Sequence, residues 1–187
     1  MKMSETYASK MVQAKVGAQL GFRAVTLTNI ANTKPTDSRQ AFRMVNGRQS
    51  SSGQTPTFHQ FFFANKTRRM HAAFLLLKYF AYRNSPTVSR DPNPHGLAFI
   101  SAYTDYLCRL GITGPGKQAL AENDNLITGE RFNLLIGKGY ERNWRELLSG
   151  AITCFDTENG KLMLCRKCRV PHFVEAHFMK YLCDSCA

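Results

Sequence analysis

Acidic side chains are scarce in this chain and almost missing from its first half. Of 13 Asp+Glu against 25 Lys+Arg, only Glu5 and Asp37 fall in residues 1–90, which carry 14 of the basic residues. Residues 91–187 carry 11 of each sign, so the whole formal charge of +12 sits in the first half. Between Asp37 and Asp91 there is no acidic residue, yet Arg39, Arg43, Arg48, Lys66, Arg68, Arg69, Lys78, Arg83 and Arg90 all fall there. A solvated face normally mixes both signs; a one-signed field this long points to an acidic partner, nucleic acid ahead of an anionic membrane surface. Long apolar runs are missing too. Arg69 and Lys78 interrupt the most hydrophobic stretch, residues 61–82, and Arg83 closes it, which excludes a spanning helix there. The opening MKMSETYASK has no apolar segment, so no secretion signal is expected. A cytoplasmic chain follows, with its six cysteines reduced.

What is present suffices for a core: 187 residues, 43% hydrophobic, predict one domain or a domain with a small appendage. Residues 4–24 repeat apolar side chains at helical spacing. After them, Thr26 or Thr28 is placed to cap a short helix through Ala31, Pro35 to close a turn, and Thr36 or Asp37 to cap a second helix to about Val45. Residues 47–57, GRQSSSGQTPT, read as a loop or wing, and residues 58–83 as one long helix. The segment NSPTVSRDPNPHG, residues 84–96, has three prolines and marks the expected internal boundary. Helices are expected again over 97–110 and 129–148, the second weakened by Gly137 and Gly139. Near the end, Asn159-Gly160 is a strong hairpin signal, because both turn positions need positive φ. The fold class expected is therefore mainly α, a helical bundle with a helix-turn-helix-like N-terminal segment and a small C-terminal four-cysteine β module resembling a zinc ribbon. The divisions expected are a basic helical DNA-binding region (1–90), a helical partner-docking region (91–150) and a zinc-binding module (151–187).

The most specific signal is Cys165-x2-Cys168, fourteen residues, then Cys183-x2-Cys186. Each pair can present two thiolates from one knuckle turn, and two knuckles close a tetrahedron around a soft d10 ion such as Zn2+. Four sulfurs fill the shell, so one structural ion per chain is expected, with no open position for metal-assisted catalysis and no enzyme. His172 and His177 lie between the knuckles and could replace a cysteine, but read better as loop or strand side chains. Cys108 and Cys154 read as small buried hydrophobes. Two motifs are decoys. GITGPGK, residues 111–117, matches most of a phosphate-binding loop, but Gln118 stands where Ser or Thr must hold magnesium. His172-x-x-Glu175 lacks the paired histidines of a hydrolytic zinc site.

In a helix-turn-helix, the second helix enters the major groove while its apolar face packs on the first. Here Ile30 and Ala31 supply the first helix's inward face and Ala41, Met44 and Val45 the second's. That leaves Ser38, Arg39, Gln40 and Arg43 toward the groove, where Arg can bond a guanine edge and Gln an adenine edge. Arg23, Arg48 and the Lys66, Arg68, Arg69 cluster are expected on phosphates. Two short helices joined by a turn are also common in helical proteins generally. A second reading is an RNA-binding zinc-ribbon protein, with Phe58, Phe61, Phe62 and Phe63 as base-stacking rings, although aromatic runs of this spacing are more often core.

The order of these features resembles a known family, the FlhC subunits of bacterial flagellar master activators. The resemblance covers most of the chain and rests on GFRAVTLTNIANTKPTDSRQAFRMVNG, on SSSGQTPTFHQFF leading into RRMHAAFLLLKYF, and most specifically on LCRKCRVPHFVEAHFMKYLCDSCA. It implies a mainly helical, nucleoid-associated transcription activator that binds double-stranded DNA and acts in a hetero-oligomer with a small helical FlhD-like subunit. Activation implies contact with RNA polymerase. It also implies one structural zinc, on Cys165, Cys168, Cys183 and Cys186. The DTENG hairpin departs from the flagellar members. The chain looks closer to FlhC-like activators of conjugative plasmids and integrative elements, which makes DNA-transfer genes the expected targets ahead of flagellar genes.

Overall fold

The computed structural model describes residues 5–112, 124–137, 141–157 and 160–187. Helices take up 56% of these residues, so the protein is mainly α, with a small antiparallel sheet at the C-terminal end. The first helix, α1 (Glu5–Gln19), buries Ala14, Gly17 and Ala18, small residues that let α2 (Ala24–Ala31) and α3 (Pro35–Asn46) pack closely on it. α2 begins two residues before the nearer expected threonine cap. Its leading N–H groups are satisfied from outside the helix: Arg23 N donates to Glu130 Oε1 (3.0 Å) and Ala24 N to Ser50 Oγ (3.0 Å). Thr28 sits inside the helix and donates to the Ala24 carbonyl instead. Pro35 is the first residue of α3 rather than part of the turn, a position where its missing N–H leaves no bond unmade. α3 ends at Gly47, whose φ of 64° closes the helix with an N–H bond to the Arg43 carbonyl.

The long helix expected over 58–83 is two, α4 (Gln60–Phe63) and α5 (Lys66–Arg83). Asn65 divides them, because its side chain accepts from Arg68 N (2.9 Å) and caps α5. The proline-rich segment is itself folded. It forms α6 (Pro86–Ser89) and leads into α7 (Pro94–Arg109), with Val88 and Asn93 buried in the body of the protein. α7 lies antiparallel to α5, joined by Tyr106 Oη to His71 Nδ1 (2.9 Å) and Tyr79 Oη to His95 Nδ1 (2.7 Å). The helix expected over 129–148 is likewise two, α8 (Gly129–Ile136) and α9 (Glu141–Ser149), with Gly137 capping the first. Gly139 lies outside the described residues.

Strands β1 (Cys154–Thr157), β2 (Gly160–Leu164) and β3 (Pro171–Val174) form one antiparallel sheet in that order, with Phe155 opposite Leu162 and Leu162 opposite Phe173. Asn159 of the expected turn lies outside the described residues; the pairing of Thr157 with Gly160 brackets it. Successive side chains on a strand face opposite ways. Phe155, Leu162, Leu164 and Phe173 join the helical core, whereas Met163 and Val174 join Cys165, Tyr181 and Cys183 on the other face. One buried cluster takes in residues from Ala18 to Phe173, on both sides of the expected divisions at 90/91 and 150/151.

A buried polar knot ties α1, α2 and α7 together. Asn93 Nδ2 donates to Gln13 Oε1 (2.7 Å) and to the Ile30 carbonyl (2.8 Å), and Gly96 lies against all three groups. A methyl group at Gly96 would overlap the Gln13 and Asn93 side chains and reach within 2.6 Å of the Ile30 carbonyl oxygen. Helix propensity alone would make Gly96→Ala stabilising by up to about 1 kcal/mol. Overpacking of the knot reverses the sign, and urea denaturation is expected to show a loss of about 1–3 kcal/mol.

Candidate metal centre and nucleic-acid interface

The sheet delivers the first pair of cysteines. β2 runs into Cys165, whose N–H donates to the Val170 carbonyl (3.0 Å) while Arg169 N returns to the Cys165 carbonyl (2.9 Å). This closes a knuckle, with Arg169 in the left-handed region at φ 61°. The second knuckle closes through Cys186 N to the Cys183 carbonyl (2.8 Å). The knuckles are fastened to each other by Arg166 N to the Tyr181 carbonyl (3.0 Å) and by Cys183 N to the Cys165 sulfur (3.5 Å). The sulfurs of Cys165, Cys168, Cys183 and Cys186 consequently lie within 4.8 Å of one another, with Cys168 and Cys183 at 3.8 Å. Such a cluster can hold a metal ion.

The electrostatics of the four sulfurs fit a cation. Burial on its own would raise the Cys165 thiol, but the N–H groups of Cys183, Cys168 and Lys167 converge on its sulfur and bring it down to about 6. Cys186 is pushed the other way, up to about 12, by its hydrogen bond to Cys183, by burial and by the other sulfurs; Cys168 is raised as well, first by burial. Four sulfurs this close cannot all ionise on their own, and a dication removes that conflict. Neither histidine belongs to the set. His172 is buried on β3, 5.2 Å from the Tyr181 ring, and burial lowers it to about 4; its ring nitrogens have no hydrogen-bond partner among the described residues. His177 is exposed beside Glu175 (3.2 Å). Cys154 packs on the cysteine side of the sheet without entering the sulfur cluster, and Cys108 is exposed on α7 rather than buried as its context suggested.

The residues expected on DNA fall into two groups. Arg39, Gln40 and Arg43 are exposed on α3, and Arg48 follows just beyond its end. Ser38 is not with them: it is fully buried, bonded to Thr28 Oγ1 (2.9 Å) and Thr33 Oγ1 (2.7 Å), and its hydroxyl holds the α2–α3 seam rather than facing a groove. The inward stripe of α3 is Ser38, Ala41 and Phe42, and Met44, expected inside, is 64% exposed on the same face as Gln40.

The other group is engaged within the fold. Arg23 pairs with Glu130 (3.5 Å) and donates to the Gly53 and Gln54 carbonyls. Arg69 grips both oxygens of Asp184 in the second knuckle (3.1 and 3.3 Å), and Lys66 reaches the Asp184 carbonyl (3.4 Å). Arg68 donates to the Asp124 carbonyl (2.8 Å) and stacks on Phe61, which a second guanidinium, Arg131, also covers. Asp184 and Arg131 carried no sequence signal as partners. The contacts join residues far apart along the chain. Of the four phenylalanines offered for base stacking, Phe62 is fully buried, Phe63 stacks on Phe173 (5.2 Å), Phe61 is covered by arginine, and Phe58 alone is exposed.

Most of the phosphate-loop-like stretch, residues 113–117, lies outside the described residues. No helix among the described residues is long and apolar enough to cross a membrane. Comparison with protein-family models and with curated proteins finds no match to the chain.

The ligand set is open to a direct check with cobalt(II) as the probe. Cys154→Ser is expected to keep the thiolate-to-metal absorption of a four-sulfur tetrahedral site, whereas Cys168→Ser should shift and weaken it. A changed spectrum for Cys154→Ser would place a fifth thiol in the site.

Proposed function

We propose that this protein is a non-enzymatic, sequence-specific DNA-binding subunit of a transcription activator. The observation that carries the reading is the row of exposed Arg39, Gln40 and Arg43 on the second helix of a tight two-helix unit. Arg can pair with guanine N7 and O6, Gln with adenine N6 and N7, and Met44 supplies an apolar contact suited to a thymine methyl. The one-signed charge of residues 1–90 supplies non-specific attraction to the duplex. The ion in the cysteine cluster is zinc, one per chain and structural, because a shell of four thiolates leaves no position for water or substrate.

The resemblance to FlhC subunits supports the rest of the reading: a cytoplasmic protein at the nucleoid, working with a small helical FlhD-like subunit and with RNA polymerase, on conjugative-transfer genes. For a partner helix, Met70 and Leu77 offer exposed apolar contacts seven residues apart on α5. The RNA reading has less support, because Phe62 is buried, Phe63 stacks on Phe173 and Phe61 carries two guanidinium groups, which leaves Phe58 as the exposed ring.

Selection from a random duplex pool, with the protein alone and with its co-purifying partner, tests this reading. A short consensus is expected. Arg39→Ala and Arg43→Ala should each cost about 1–3 kcal/mol on it and relax preference at particular bases, with metal content unchanged. Equal weakening on every sequence, or no consensus with either preparation, would contradict sequence reading by α3.

A further inference from the structure

The loop of residues 47–57 does not hang clear of α3. Helix and loop face each other across a trough of about 940 Å³, with Arg39 and Arg43 on one wall and residues 49–55 on the other. The loop is pinned at two places. Ser50 Oγ takes the N–H of Ala24, and the Arg23 guanidinium donates to the Gly53 and Gln54 carbonyls at 3.4 Å each. Arg23 is thus a positioning residue for the loop, and Ser51 and Ser52 stand exposed opposite the two arginines. No carboxylate lines the trough, and its far wall offers only hydroxyl, amide and backbone groups. It is much larger than one phosphate needs.

We infer that this trough seats one sugar-phosphate strand of duplex DNA, with residues 49–55 acting as a second contact on the outer side of that strand. The inference rests on the reading of α3 as the groove-facing helix. A helix in the major groove, about 12 Å wide, has a phosphate ridge on either side. Because the loop stands beside the exposed face of α3, one ridge has to run between them. Arg39 and Arg43 then serve two neighbours, base edges ahead and phosphates alongside, while the neutral donors of the loop close over the strand without adding charge.

The test uses the whole protein and a duplex carrying its selected consensus, read by fluorescence anisotropy at fixed salt. Ser51→Asp combined with Ser52→Asp places two carboxylates at the strand without touching the pinned residues, and its thermal unfolding should match that of the original protein. Binding is expected to fall about tenfold or more on consensus and random duplex alike, with base preference retained. In a second arm the protein is left intact: neutral methylphosphonate linkages beside the base positions that depend on Arg43 should weaken binding by the original protein. If the double variant binds within about twofold of the original while Arg43→Ala does not, or if the neutral linkages have no effect, the inference is overturned and the α3 reading stands. Failure of the original protein to select any duplex consensus overturns both.

Discussion

Everything at the C-terminal end depends on a small sheet whose strands β2 and β3 are covered on both faces. One face, with Phe155, Leu162, Leu164 and Phe173, completes the helical core; the other, with Met163 and Val174, floors the cysteine cluster. A three-stranded sheet of strands only four or five residues long has little stability of its own. It persists here because β2 and β3 are covered on both faces. The residues after β3 build no regular element to cover the second face; Tyr181, Phe178 and the two cysteine knuckles pack on it instead.

The basic residues make sense against this arrangement. Arg69 and Lys66 lie at the start of α5 and hold Asp184, which sits inside the second knuckle between two of the cysteines. The Arg69–Asp184 pair is about a third exposed, and such pairs contribute up to about 1 kcal/mol, so it orients the knuckle rather than holding it together. A four-sulfur ion acts on a larger scale, since its binding energy is folding energy for the segment that closes around it. Arg23 has the same kind of duty at the start of α2, bracing the 49–55 loop while its backbone N–H meets Glu130. Of the basic residues expected on DNA, Arg39, Arg43 and Arg48 stand exposed on α3 and just beyond it, whereas Arg23, Lys66, Arg68 and Arg69 make contacts within the fold.

Much of this was legible in the sequence, and the failures have identifiable causes. The paired CxxC spacing located the sulfur cluster, and Asn159-Gly160 located the strand pairing that brackets it, because both signals are local chemistry. The α2–α3 unit was legible, yet its facing was not: residues 38, 41, 42 and 45 fit a helical stripe as well as 41, 44 and 45 do. Only the hydroxyls of Thr28 and Thr33 show why Ser38 can be buried. Asn65 was lost within an apolar run, where a single capping residue is easily overridden by the periodicity around it. The prolines of residues 84–96 looked like a linker, but two of them open helices and the segment packs into the core. Contacts such as Arg69 with Asp184, 115 residues apart, have no sequence signature at all.

The protein carries its own reporter for whether an ion in the cysteine cluster would stabilise the junction of sheet and helices. Its single tryptophan, Trp144, is buried on α9, tilted against Phe80 of α5 (3.8 Å) and set edge-on to Phe155 of β1 (5.2 Å), so its emission reads the junction of helices and sheet. The decisive measurement is denaturant unfolding followed by Trp144 fluorescence and helical circular dichroism together, on protein of measured metal content, before and after chelation. One zinc per chain is expected, and its removal should move both signals to lower denaturant in a shared transition. Protein that lacks a bound ion, or that loses the ion with both curves unchanged, would contradict it.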